Sequence, residues 1–240
     1  MVARFEIHRF ATIDSTNTWV MEQARSGAAA GLVAVADEQT AGRGRLGRTW
    51  ISPPGGSLLM SLLLRPVDLP ADRLHLATAA VAMSGADAVA LVAEVQPSLK
   101  WPNDLLIGTR KLAGVLTEVE GMPPAVVVGM GINCTWPYEL PPEIADVAIA
   151  ASHAAGRPVH TADVLDVLLD TLAARLDEGW DAIAGEYKAR CATVGLEVRV
   201  EMADGTFAGV ASGVDDDGAL LVDTDAGPRR VIAGDVIHLR

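Results

Sequence analysis

Apolar and polar positions up to residue 133 are spaced as in strands joined by tight turns, with two helical stretches between them. Capping residues at 14–17 precede Trp19-Val20-Met21, and Gly27 follows, which predicts a first helix. Residues 71–93 are rich in Ala and carry leucines at helical spacing, which predicts a packed helix. Strands are predicted at 5–10, 32–37, 57–65, 105–107, 111–118 and 125–133. The strands do not alternate regularly with helices, so the pattern indicates a mixed sheet with hairpins and disfavours a doubly wound fold.

The pattern changes in the last third of the chain. Helical segments are predicted at 143–155 and 161–191, the second bent near Gly179. From Gly195 onward, four or five short alternating segments are separated by Asp-Gly and Gly-Pro turns, which is typical of a small barrel-like unit. We therefore predict an α+β chain with one domain at 1–192 and a second at 193–240.

Composition narrows the function classes. The net charge of −12 over 240 residues argues against a general nucleic-acid surface, since phosphate binding favours a basic face. The longest apolar stretches, 58–64 and 125–132, are too short to cross a bilayer, and the N-terminus lacks an apolar signal region. Cys134 and Cys191 lie far apart, which favours buried thiols in a reducing compartment. We expect a cytoplasmic protein that binds neither membranes nor DNA.

A glycine–arginine loop, Gly42–Gly47, matches the dinucleotide-binding pattern G-x-G-x-x-G. That pattern must open a helix, but Pro53-Pro54 and two glycines follow within a few residues and disfavour one. The Walker pattern fails too, because no Lys-Ser or Lys-Thr follows the last glycine. Three arginines fall within residues 43–48 of an acidic chain, which predicts a local anion site. Only three of the basic residues are lysines, and Lys100 and Lys111 hint at places where a compact ammonium is needed.

Four segments occur in a fixed order: DSTN at 14–17, QTAGRGRLGRTW at 39–50, KWPNDLLIGTRKLAGVLTE at 100–118 and GIN at 131–133. In this order and spacing the chain resembles, over its whole length, the biotin–protein ligases. The resemblance implies a mixed-sheet catalytic domain related to class II aminoacyl-tRNA synthetases, followed by a small SH3-like β-barrel. It also implies a two-step reaction in which biotin and ATP give biotinyl-5′-AMP and pyrophosphate, and biotin then passes to a lysine of a biotin carboxyl carrier domain. No metal-ligand spacing is present around the cysteines or histidines, so we expect Mg²⁺ to arrive with the ATP phosphates.

Residue types in these segments suit that chemistry. Two anions must meet when a carboxylate attacks a phosphate, and the cationic groups of Arg43, Arg45 and Lys111 can screen them. The resemblance implies three sets of site residues. Predicted catalytic residues are Lys111, Arg45 and Asp104, where Asp104 either orients the incoming lysine amine or removes its proton. Predicted biotin-binding residues are Ser15, Thr16, Asn17, Gln39, Arg43, Gly44, Arg45, Lys111 and Gly114. Predicted ATP- and adenylate-binding residues are Arg43, Arg45, Arg48, Trp50, Lys111 and Asn133.

Simpler interpretations exist for each motif taken alone. Ser15–Asn17 could be a helix cap, Pro102–Asp104 a turn, Trp50 and Trp101 core residues, and the arginine loop a solvated or RNA-contacting patch. Their joint occurrence favours the ligase. Competing functions are a lipoate–protein ligase or octanoyltransferase of the same fold, a nucleic-acid-binding regulator, and a module that binds biotin without transferring it. Only fourteen residues precede Ser15, so we expect the monofunctional form without a DNA-binding domain, as a monomer or weak homodimer.

Overall fold

The first half of the chain forms a mixed sheet, as predicted, with seven strands where the sequence predicted six. A computed structural model describes residues 5–137, 139–140, 142–202 and 205–239. The strands are β1 (Glu6–Ile13), β2 (Leu32–Gln39), β3 (Ser57–Leu64), β4 (Ser98–Lys100), β5 (Asp104–Ile107), β6 (Arg110–Glu120) and β7 (Ala125–Asn133). Their order is β1-β2-β3-β7-β6-β5-β4, in which β1 and β2 are parallel and the other neighbours antiparallel.

The two faces of this sheet have different partners. The helices are α1 (Thr16–Arg25), α2 (His75–Ala93), α3 (Pro142–Ala145), α4 (Ala151–Ala155), α5 (Thr161–Glu178) and α6 (Trp180–Arg190). Side chains such as Leu62 and Val128 bury one face in a core shared with α2 and α5. On the other face, Leu63 and Val127 pack with Val20 of α1. Because α1 has only 10 residues, it covers part of that face, and the remainder carries the cleft described below.

Helix α2 is the most apolar element of the chain. The segment Ala71–Ala93 is long and apolar enough to cross a membrane by length and composition, with a mean hydropathy of 1.7. However, 72% of the most apolar 18-residue stretch of this segment is buried inside the protein. The segment is therefore a core helix, packed between the sheet and α5.

The C-terminal part forms a second, five-stranded antiparallel sheet of SH3-like character. Its strands are β8 (Glu197–Met202), β9 (Gly205–Val214), β10 (Leu220–Thr224), β11 (Gly227–Val231) and β12 (Asp235–His238), in the order β11-β10-β9-β8-β12. Trp101, which directly follows β4, contacts this part of the chain: its indole N–H donates to the carbonyl of Gly218, in the turn between β9 and β10, at 2.9 Å. Closure of this sheet into a barrel and the domain boundary at residue 192 stay predictions.

The helix predicted at 143–155 is confirmed only at its two ends, which form α3 and α4. Residues 146–150 between them are not helical, and Ala148 pairs with Lys111 as an isolated bridge. Their backbone is used there for hydrogen bonds with Lys111, so tertiary pairing overrides the local helical pattern. The bend predicted near Gly179 is confirmed as a break between α5 and α6, where Gly179 has a φ of 90°. Both cysteines are buried free thiols, as expected.

Candidate active site on the open face of the sheet

A cleft of about 750 Å³ occupies the uncovered part of the sheet. Its walls are the N-terminus of α1, the glycine–arginine loop and the near edge of the C-terminal sheet. The volume is in the range of cavities that hold small-molecule ligands. Its charged lining residues are Arg43, Arg45, Arg48, Lys100, Lys111, Asp104, Glu139 and Asp235.

The floor of the cleft is one row of residues in register across five strands. Leu59 lies opposite Gly131, Gly131 opposite Gly114, Gly114 opposite Asp104, and Asp104 opposite Lys100. Residues directly opposite each other on neighbouring strands project to the same face of a sheet. The row therefore carries two glycines in its middle and two charged side chains, on β5 and on the edge strand β4, at one end.

The glycines of this floor make room for other side chains. A β-carbon at Gly131 would lie 2.5 Å from the Trp50 ring, and one at Gly114 would lie 3.2 Å from the same ring. At Gly129, a β-carbon would overlap the side-chain amide of Asn17. Trp50 and Asn17 thus reach the backbone of β7, which no larger residue at these positions would allow.

A β-bulge directs Lys111 into the cleft. Leu105 pairs with Ala113, but Leu106 pairs with Lys111, so one extra residue, Leu112, stands in β6. Leu112 and Ala113 are both buried in the core, although neighbours along a strand normally face opposite sides. In a regular strand Leu112 would face the cleft and Lys111 the core, and the bulge reverses their placement.

Lys111 is held by its backbone as well as by its side chain. Its N–H donates to the carbonyl of Val147 at 2.8 Å, and its carbonyl accepts from the N–H of Ile149 at 3.0 Å. The buried amide of Asn133 donates to the Ile149 carbonyl at 3.1 Å and to that of Lys111 at 3.4 Å. The Lys111 ammonium lies 2.6 Å from the Asp104 carboxylate. Asn133 therefore fixes the segment that carries Lys111, and its contact with a nucleotide stays a prediction.

A buried polar network surrounds the start of α1. Thr16 donates to the Gln39 side-chain carbonyl from its backbone at 2.8 Å and from its hydroxyl at 3.0 Å. Ser61, absent from the sequence-based set, lies 2.7 Å from the Thr16 hydroxyl and 2.6 Å from Asn17 Oδ1. A hydroxyl has one hydrogen, so Ser61 donates to one of the two at a time, and the network can accept a further donor. Helix capping explains Ser15, the N-cap residue, but it does not explain Thr16 or Asn17.

The same network extends to the arginine loop through Glu118. The Asn17 amide donates to the Glu118 carboxylate at 3.0 Å, and Arg43 forms an ion pair with that carboxylate at 2.9 Å. Arg43 is thereby tied to the α1 end of the cleft. Neither Ser61 nor Glu118 was predicted from the sequence, because each is an ordinary polar residue inside a strand.

The loop itself is a narrow hairpin over the floor. Trp50 donates to the Gly42 carbonyl at 3.0 Å, and Gly44 donates to that of Arg48 at 2.7 Å. At its tip Leu46 has a left-handed φ of 56°. This folding brings the two remaining loop arginines to the other end of the cleft.

Those two arginines have different partners. Arg45 donates to the side-chain carbonyl of Asn103 at 3.1 Å, and burial lowers its pKa from the usual value. Arg48 forms an ion pair with Asp235 of β12. Neither Asn103 nor Asp235 was predicted, because the first looked like a turn residue and the second lies in a strand that was not among the predicted segments.

Lys100 is the remaining cation of the cleft. It is half-buried on the edge strand β4, and its ammonium makes no ion pair or hydrogen bond with any residue that the structure describes. Burial lowers its pKa, and the nearby charges of Asp104 and Lys111 act in opposite directions. Sequence reasoning noted Lys100 as one of few lysines but left it outside the site. Among the described residues, no group of three or more His, Cys, Asp or Glu could hold a metal ion.

Known families match two parts of the chain. Residues 9–140 match the Biotin/lipoate A/B protein ligase family, and residues 193–239 match the Biotin protein ligase C terminal domain. The biotin--[acetyl-CoA-carboxylase] ligase of Mycobacterium tuberculosis is 38% identical over 242 residues, which cover 96% of this chain and 88% of that protein. The bifunctional ligase/repressor BirA of Bacillus subtilis is 35% identical over 232 residues, which cover 93% of this chain and 71% of that protein.

A solved structure agrees with these matches. The biotin protein ligase from Aquifex aeolicus, in complex with biotin and ATP, superimposes with a TM-score of 0.83 at 30% sequence identity. The superposition covers 98% of this chain and 99% of that one. The chain therefore belongs to the biotin/lipoate A/B protein ligase family, among its biotin protein ligases.

Proposed function

We propose that the cleft joins biotin to ATP to form biotinyl-5′-AMP and then passes biotin to a lysine of a biotin carboxyl carrier domain. The observation that carries this proposal is the position of Lys111. The bulge in β6 turns its ammonium onto a glycine floor, between a buried polar network on one side and arginines on the other. A carboxylate and a phosphate can both reach that position, and the cation offsets their repulsion.

The polar network at α1 is the proposed seat of the biotin ring. A ureido group offers two N–H donors and one carbonyl acceptor. The network has an acceptor to spare, because the Ser61 hydroxyl cannot serve Thr16 and Asn17 together. The dithiolane ring of lipoate has no N–H to offer, so it would leave these buried groups without their ligand partner.

Lys111 and Arg45 have different roles in the proposed first step. An oxygen of the biotin carboxylate attacks the α-phosphorus of ATP, and pyrophosphate leaves. Lys111 lies where the new carboxyl–phosphate bond forms, so its charge matters most as negative charge develops there. Arg45 contacts the phosphate before and after the step, so it also retains the intermediate. Asp104, 2.6 Å from the Lys111 ammonium, orients that ammonium.

The glycine–arginine loop and Trp50 cover the intermediate. Biotinyl-5′-AMP is a mixed anhydride that water hydrolyses, so the site must exclude water until a carrier lysine arrives. The Trp50 ring lies against the glycine floor beside Lys111, with the ammonium 5.8 Å from the ring centroid. Mg²⁺ would screen the phosphate charges. Both carboxylates near the phosphate position, Asp104 and Asp235, are engaged in ion pairs, so we propose that the ion enters bound to ATP.

The net charge and the cysteines of the chain support proposals about its partners and its compartment. With a net charge of −12, we propose that the chain makes no sequence-specific contact with DNA. The two free cysteines suit the reducing cytoplasm. We propose a biotin carboxyl carrier domain of acetyl-CoA carboxylase as the partner, and a monomer or weak homodimer as the oligomeric state.

Substrate choice tests the function directly. With ATP and Mg²⁺, the purified protein should release pyrophosphate with biotin and then label a carrier-domain lysine. Lipoate should be disfavoured by roughly 10⁴-fold in kcat/KM, as in sites built to hydrogen-bond a missing group. Pyrophosphate release with lipoate but not with biotin would contradict the proposal.

The separate roles of Lys111 and Arg45 are tested by single-turnover kinetics. Lys111→Ala should slow adenylation by roughly 10²- to 10³-fold, as loss of an oxyanion-hole donor does, and Lys111→Arg should restore it only in part. Arg45→Ala should weaken binding of preformed biotinyl-5′-AMP by about 1.5–3 kcal/mol, seen as faster dissociation. Lys188→Ala, at an ion pair with Asp216 outside the cleft, is the control. An unchanged adenylation rate in Lys111→Ala, or unchanged retention in Arg45→Ala, would refute these roles.

The biotin seat is tested by Gly129→Ala. Its β-carbon would displace the Asn17 amide and break the contact with Ser61, so biotin affinity should fall at least about tenfold. Gly213→Ala is the matched control, because a β-carbon there would meet only Leu221, at 3.8 Å. Isothermal titration with biotin measures both variants. Equal biotin affinity in Gly129→Ala and wild type would place the ring elsewhere.

A further inference from the structure

We propose that Lys100 binds the β- and γ-phosphates of ATP and therefore the pyrophosphate that leaves. The inference rests on the proposed function, and it names a residue that binds the pyrophosphate part of ATP, which biotinyl-5′-AMP does not retain. Lys100 would be a second catalytic lysine with a task distinct from that of Lys111.

The order of strands fixes the direction of the reaction across the floor. The proposed biotin seat lies over β3 and β7, and Lys111 stands on β6. Lys100 stands two strands further along, on β4, in the same register row as Gly114 and Asp104. Neighbouring strands are about 4.8 Å apart, so β4 lies roughly 10 Å beyond β6. In phosphoryl transfer the attacking and leaving oxygens lie in line, so the leaving group points away from biotin, towards Lys100.

Positive side chains outnumber negative ones at the end of the cleft that holds Lys100, which favours binding of an anion there. Asp104 lies 2.6 Å from the Lys111 ammonium, and Asp235 forms an ion pair with Arg48. These are the two carboxylates that act on the charge of Lys100, and both are engaged. With Arg45, on which the same carboxylates act, four cations share these two carboxylates, within a cleft lined by five cationic and three acidic side chains in a protein of net charge −12.

Burial disfavours the charged form of Lys100. The residue is half-buried, and its ammonium has no hydrogen-bond or ion-pair partner among the described residues. Removing a charge from water without a partner destabilises it, and here burial lowers the pKa of Lys100. A bound phosphate would restore the lost interactions with a charge-assisted hydrogen bond.

The step is balanced without another reactant. A bond forms between a biotin carboxylate oxygen and the α-phosphorus, and the bond from that phosphorus to the bridging oxygen breaks. The bridging oxygen keeps the electron pair and departs with pyrophosphate, so no proton needs to move. Negative charge grows on this leaving group in the transition state, where the Lys100 ammonium stabilises it.

Lys100→Met tests the assignment, because it removes the charge and keeps most of the side chain's bulk. We expect KM for ATP to rise about 10- to 100-fold, and pyrophosphate to bind more weakly by a similar factor in the reverse reaction with biotinyl-5′-AMP. Dissociation of biotinyl-5′-AMP and its transfer to the carrier should stay unchanged, because the intermediate lacks these phosphates. Lys100→Arg should recover part of the pyrophosphate affinity, since Arg also binds phosphate.

Lys188→Met is the matched control, since this lysine pairs with Asp216 outside the cleft, and it should leave all four quantities unchanged. Unchanged pyrophosphate affinity in Lys100→Met would overturn the assignment. Equal weakening of pyrophosphate and biotinyl-5′-AMP would also overturn it, because it would indicate a support role for the whole site. If Lys100→Met fails to fold, Lys100→Gln serves the same comparison. Failure of the proposed function is distinct, because wild-type protein would then form no biotinyl-5′-AMP.

Discussion

The pairing of β6 with β5 determines where Lys111 points. Side chains alternate along a strand, so one inserted residue exchanges the two faces for everything beyond it. Leu112 is that residue, and its insertion buries it beside Ala113 while Lys111 turns to the cleft. Beyond the bulge, the backbone of Lys111 pairs with residues 147 and 149. The segment between α3 and α4 therefore helps to hold the lysine in place.

The sheet separates stability from chemistry by face. One face is closed by α2 and α5 and carries most of the apolar core. The other face is covered by α1 only in part, and its open floor contains Gly114, Gly129 and Gly131. Side chains from outside the sheet, Trp50 and Asn17, occupy the space that the glycines leave. Neighbouring strands are about 4.8 Å apart, so the residues of the floor are spaced at that interval along the cleft.

Much of this arrangement could be predicted from the sequence, and the exceptions share a cause. Local signals were sufficient for six of the seven strands, for α1 and for the glycine–arginine loop, because turns, caps and alternation depend on neighbouring residues. The short edge strand β4 has too few residues to show an alternating pattern. The helix predicted at 143–155 is interrupted at 146–150 because Val147 and Ile149 form backbone hydrogen bonds with Lys111, a contact that no local pattern indicates. Likewise, Ser61 and Glu118 reach the site only because strand pairing brings them next to residues that are distant in the sequence. Asp235 reaches the cleft because the second sheet packs against the first.

We propose that the bulge presents Lys111 at the junction of biotin and phosphate, with biotin towards β3 and the phosphates towards β4. The most direct measurement is a crystal structure with a non-hydrolysable analogue of biotinyl-5′-AMP. We expect the linkage that replaces the acyl phosphate to lie within about 3 Å of the Lys111 ammonium, with the ureido ring against Asn17 and Ser61. A structure in which the ring lies beside Lys100, or in which Lys111 contacts only Asp104, would contradict it.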